Sequence, residues 1–165
     1  MPPSNLPRAG HQYKTLFSGV SAAEPGERGM TAKALQASVA DGGFTMAPDG
    51  TPATTGYSVG QKGTTGVTRA DTALTSNGNA SIHSFNDMSQ WHNRHRGSVA
   101  AAGHLGGWNN SQTGNIVFNA TNVIPDRTTA IAEGGPSKQD QISVFHLDTF
   151  NEIPTGGKGD EERNY

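Results

Sequence analysis

The chain has 165 residues, of which 32% are hydrophobic and 16% charged, with 22 glycines, 9 prolines and no cysteine. A net charge of -2 gives no overall attraction to nucleic acid or to an anionic membrane, and the lack of cysteine excludes disulfide frameworks, thiolate chemistry and Cys-type zinc sites. The length suits one domain, and low apolar content without high charge predicts a compact core carrying long polar segments.

Residues 1 to 29 hold Pro2, Pro3, Pro7 and Pro25 among polar spacers, and Leu6, Tyr13, Leu16, Phe17 and Val20 show no sustained period. This pattern predicts an extended arm, of the kind that orders by wrapping neighbours. The opening MPPSNLPRAG lacks the apolar core of a secretory signal, and no run in the chain is long enough to span a bilayer. Thr31 to Ala40 predicts a short helix, N-capped by Thr31, with Leu35 and Val39 four apart and Asp41-Gly42-Gly43 as its stop. The expected organisation is an arm with this helix over 1–41, an α+β domain over 42–153 and a flexible charged tail over 154–165.

Phe44 to Ala47 and Thr54 to Val59 flank Pro48-Asp49-Gly50-Thr51-Pro52, which predicts a first hairpin. The Thr- and Gly-rich stretch from Gly60 to Asn79 predicts loop or edge strand, with Lys62 and Arg69 too sparse for a nucleic-acid patch. Ser84, with Asp87 three positions on, is the expected start of a helix running to Ala102. Phe85, Met88, Trp91, His92, His95 and Val99 fall on one stripe of that helix and make it the expected lid of the sheet.

A central hairpin follows. Asn109 to Gly114 is a turn cluster between Leu105 to Trp108 and Asn115 to Val123. In the second arm Ile116, Phe118 and Ala120 share one face, and Val117, Asn119, Thr121 and Val123 the other. Gly106 and Gly107, lacking Cβ, predict a bulge, a bend or a close approach beside Trp108. Asp126 is the expected cap of a two-turn helix ended by Gly134, Gly135 and Pro136. Gln141 to Thr149, apolar on both faces, predicts a strand inside the sheet. The fold class expected is therefore α+β: a small, mainly antiparallel sheet covered by one main helix, with an extended N-terminal arm and a C-terminal tail.

The candidate chemistry is thin. His92 and His95 stand three apart on the expected helix with His104 just past it, yet no carboxylate completes a ligand set, so no metal is expected and the histidines read as a polar helix end favoured by its dipole. Arg94, His95 and Arg96 with Trp91 form the basic and aromatic cluster, too small for nucleic acid and suited to carboxylates on a protein partner. His146 and Asp148 share a strand face, and Ser81, Ser84 or Ser143 would be the hydroxyl of a hydrolase, but no G-x-S-x-G elbow is present.

The order Gly43-Phe44-Thr45, Pro48-Asp49-Gly50, Thr55-Gly56-Tyr57-Ser58-Val59, His104-Leu105-Gly106-Gly107-Trp108, Gly114-Asn115-Ile116-Val117-Phe118 and Val144-Phe145-His146-Leu147 resembles an uncharacterised domain family of tailed bacteriophages of actinobacteria. The likeness covers residues 42 to 154, with LGGW its most distinctive motif. Members often carry an acid in the last strand, where this chain has His146 and, two positions later, Asp148. The resemblance implies a phage protein, made in the host cytoplasm and sited in the virion, sometimes near head-assembly proteins. The function expected on these grounds is a non-enzymatic structural or accessory virion component, head- or neck-associated and held by its arm. Its partners would be other virion proteins or copies of itself, with no membrane, cofactor or required small molecule, and nucleic acid disfavoured. The alternative is an intracellular phage accessory protein binding a host protein or small ligand, and the third reading is a hydrolase-like enzyme. The expected contact residues are Trp91, His92, Arg94, His95, Arg96, His104, Gly106, Gly107 and Trp108, the last two glycines and Trp108 forming a pocket with Trp91, His92 and His104.

Overall fold

The structure, a computed structural model, describes residues 19–159. Residues 1–18 of the expected arm and 160–165 of the expected tail lie outside the described residues. Within them the chain is α+β. In chain order the elements are α1 (Gly26–Asp41), β1 (Gly43–Met46), β2 (Tyr57–Gly60), β3 (Gly66–Arg69), α2 (Ile82–Arg94), α3 (Arg96–Ala102), β4 (Gly103–Asn110), β5 (Asn115–Ile124), α4 (Arg127–Gly134), β6 (Ser143–His146) and β7 (Asn151–Pro154). The strand order is β1-β4-β5-β2-β6-β7, with β3 also paired to β5. The chain divides into two compact bodies, and β4 and β5 each pass from one into the other.

The first body holds residues up to Phe44, Gly66–Arg94 and Gly107–Val117. Its α1 is longer than the expected Thr31 to Ala40 helix. Pro25, at ψ 155, precedes its first turn, and Glu24 pairs with Arg28 across that turn at 2.8 Å. Thr31 is consequently not a cap but an interior residue, buried with Met30, Ala34 and Leu35. Residues 26–41 thus form a packed helix and not part of an extended arm, and Gly42 ends it at φ 87, a conformation that glycine adopts without a Cβ clash. In α2 the expected stripe is buried at Phe85, Met88, Trp91 and His92, and Ser84 is buried beside it.

The capping differs from the expectation. The hydroxyl of Ser81, not of Ser84, accepts the Ser84 amide at 3.2 Å. Ser84 is turned inward beside Thr68 of β3 at 3.0 Å, and the Thr68 hydroxyl donates to Asp87 at 2.7 Å. Asp87 is therefore a strand-to-helix tie rather than a box acid. The expected single helix to Ala102 breaks at His95, whose φ -111 and ψ 18 lie off the helical values, and resumes as α3.

The second body holds Thr45–Thr65, His95–Gly106 and the residues from Phe118 on. The register sets Tyr57 opposite Ile124 and His146, and Val144 opposite Ile153, all antiparallel. Tyr57, Val59, Val144 and Ala130 of α4 form its core, edged by Ile124, Ile131 and Ile153. Here α4 is the cover, while in the first body α2 packs on β3. The Asp126 cap is as expected: its carboxylate accepts the Thr129 amide at 2.8 Å.

The expected first hairpin is only half present. Its turn closes, with the Ala47 amide donating to the Thr51 carbonyl at 2.9 Å and the Ala53 amide to the Thr45 carbonyl at 3.0 Å. Its strands nevertheless part, since β1 pairs with β4 while β2 lies between β5 and β6. The reason is burial: Tyr57 and Val59 are worth more against Val144 and α4 than alongside the half-exposed β1. The central hairpin forms over β4 and β5, and its turn is closed by the Gly114 amide donating to the Asn110 carbonyl at 2.8 Å. In β5 both faces are buried at the middle, including Val117 and Thr121 on the side expected to be half polar. β6 is internal, as expected, and β7 extends the sheet beyond it.

Candidate functional site

The nine expected contact residues are shared between the two bodies. Trp91, His92, Arg94, Gly107 and Trp108 belong to the first body, and His95, Arg96, His104 and Gly106 to the second. In the first, Trp91 is 1% exposed because Gly66 of β3 leaves room for its ring: a Cβ on Gly66 would run into the indole. His92 is 3% exposed, with Nδ1 3.7 Å from the Glu27 carboxylate. Both are core residues. Arg94 is exposed.

Gly107 has its own steric reason, since a Cβ there would lie 2.5 Å from the Phe44 ring and 2.6 Å from the Val117 carbonyl. Close packing, not a ligand cradle, selects it. The next residue, Trp108, is 44% exposed.

In the second body Gly106 is selected in the same way, because its Cβ would stand 2.5 Å from the Thr121 hydroxyl. His95 is half-buried at the helix break and Arg96 is exposed. His104 is half-buried, its Nδ1 is enclosed without a hydrogen-bond partner among the described residues, and burial holds its pKa below the ordinary histidine value. Among the described residues no group of three His, Asp or Glu side chains is placed to hold a metal ion.

The second body also holds a constellation only half visible in the sequence. His146 stacks on Tyr57 with ring centroids 4.3 Å apart and planes at 9°. Its Nδ1 lies 2.8 Å from the Thr149 hydroxyl and its Nε2 3.2 Å from the Asp148 carboxylate, which also accepts the Gly56 amide at 2.9 Å. A neutral ring satisfies both contacts by donating from Nε2 and accepting at Nδ1; a charged ring donates at both. The hydroxyl at the ring is that of Thr149, from the same turn, and none of the expected serines. Ser143 instead donates to Glu152 at 2.6 Å, and Ser81 and Ser84 lie at the start of α2 in the first body. What this geometry does is fasten the β6–β7 turn to the start of β2. His146 and Asp148 were readable as a pair, and Thr149 was signalled by its spacing of three from His146. Tyr57 and Gly56 carry no local signal, because only the strand register brings them there.

Among the described residues no helix is long and apolar enough to cross a membrane. Comparison of the chain with family models, curated proteins and solved structures gives no match.

Proposed function

We propose that the chain is a non-enzymatic structural or accessory component of a tailed-phage particle, attached at the head or neck, which meets a neighbouring protein through the surface around Trp108. The observation that carries this reading is the split within the LGGW motif. Leu105 is buried and both glycines are fixed by close packing, whereas the indole stands 44% exposed. A large amphipathic ring left in water gains on burial against a partner, and tryptophan is enriched among the residues that dominate interface energies. The exposed Arg94 of the same body supplies a cation for partner carboxylates. The phage setting rests on the sequence resemblance, and the proline-rich opening segment is the second anchor by its composition.

Mass spectrometry of purified particles tests the reading, and absence of the chain overturns it. Trp108→Ala is expected to fold normally and to be incorporated about tenfold less. Equal incorporation removes Trp108 from the contact.

A further inference from the structure

The turn between β6 and β7 closes with the Phe150 amide donating to the His146 carbonyl at 2.8 Å, and Phe150 itself sits at φ 60. A left-handed residue at the end of a short hairpin turn is ordinarily glycine, or a small polar residue such as asparagine, because a Cβ there crowds the backbone. A bulky aromatic in that conformation is an outlier. Phe150 is also 77% exposed. One residue therefore combines a strained backbone with a ring left largely in water, and the strain costs the isolated fold stability.

The surroundings give the tip a chemistry. The Phe145 ring lies 6.3 Å from that of Phe150 at 52°. The register puts Val123, Ser58, Phe145 and Glu152 in one row, on the sheet face opposite the Tyr57, Val59 and Val144 core. The pair thus stands on the outer face, next to the edge strand β7. Exposed Glu152 stands opposite Phe145 in the register, and Asp148, two residues before Phe150 in the turn, is a second exposed carboxylate. Glu152 is held by the Ser143 hydroxyl, and Asp148 is oriented by His146 and the Gly56 amide.

We infer that Phe150 and Phe145, with Glu152 beside Phe145 and Asp148 in the same turn, form a docking knob for a second protein that offers an apolar socket rimmed by lysine or arginine. Charge complementarity selects that occupant over a second copy, because a two-fold pairing at the tip brings these carboxylates toward their own counterparts. The knob belongs to the second body and Trp108 to the first, and the two rest on different residues, so the knob stands or falls apart from the particle reading.

The test replaces Phe150 with benzoylphenylalanine and irradiates the cells that make the chain. The expected result is one crosslink to a different protein, at a lysine- or arginine-bearing peptide. Its yield should fall at least about fivefold in the Asp148→Asn, Glu152→Gln double variant. Phe150→Gly serves as the folding control, and its Tm should be unchanged or raised by about 2 °C as the strain is relieved. Crosslinks confined to copies of this chain, no crosslink, or a yield indifferent to the charge changes would each overturn the inference, as would a lowered Tm for Phe150→Gly. A chain missing from purified particles that still gives the charge-dependent crosslink removes the particle reading and leaves the knob standing.

Discussion

Trp91 and Trp108 are the same residue in opposite circumstances, and substitution separates them. Trp91→Ala is expected to destabilise by about 3–5 kcal/mol, the usual result of emptying a core aromatic site, whereas Trp108→Ala costs under about 1 kcal/mol in the isolated protein. Denaturant unfolding checks both. Gly66→Ala tests the same packing from the other side, since the added methyl meets the Trp91 ring, and a loss of about 1–3 kcal/mol is expected. Trp91 was legible because it falls on a helical stripe with Phe85 and Met88; the exposure of Trp108 was not, since the strand pattern does not say which face is covered. His104 gives a pH signature. Burial lowers its folded pKa below the ordinary value of 6.5, so the unfolded chain binds the proton more readily. Its contribution to stability is complete above about pH 6.5 and is lost as the pH falls toward the lowered folded pKa. Comparison of urea midpoints at pH 7.5 and 5 should therefore show a smaller drop for His104→Gln than for the parent chain.

At the scale of elements, the Asp126 cap was readable, the caps expected at Thr31 and Ser84 were not, and strand partners were the least readable. Asp126 was legible because a carboxylate three residues before a free amide is a local arrangement that needs nothing from the rest of the fold. The Thr129 amide and hydroxyl hold its carboxyl below the usual aspartate pKa. That stabilisation is present above the unfolded value near 3.8 and disappears as the pH falls through the lowered folded one. Asp126→Ala should then lower Tm at pH 7, Asp126→Ser should largely restore it, and at pH 2 parent and alanine variant should converge. The parting of β1 from β2 shows why strand partners fail: turn chemistry closed the loop between Ala47 and Thr51, but each strand went where its apolar face was better covered. The early start of α1 had a visible signal, the Glu24 and Arg28 pair with Pro25 between them, which was outweighed by reading the prolines as an arm.

For the molecule as a whole, the order of segments matters more than their number. The chain enters and leaves each body repeatedly, at Phe44, Thr65, Arg94, Gly106 and Val117, so neither body corresponds to a continuous stretch of sequence. β3 takes its partner from β5, and β2 takes its partners from β5 and β6, all of them after residue 94. Fragments 1–94 and 95–165 should accordingly each lack cooperative thermal unfolding by circular dichroism, and recovery of a sharp transition in either fragment alone would contradict this topology.

The sequence by itself determined what depends on neighbours a few residues apart: the α+β class, the central hairpin from Gly103 to Ile124, the α4 cap and the buried stripe of α2. Tertiary structure alone decided that Trp108 is left exposed, that α4 covers the Tyr57 core, and that Tyr57 lies on His146. The physical reason is range. Backbone dihedral preferences and caps act within a turn or two, whereas burial is settled by which distant strand arrives alongside, and in this chain the arriving residue is often a glycine whose only signal is the side chain it leaves room for.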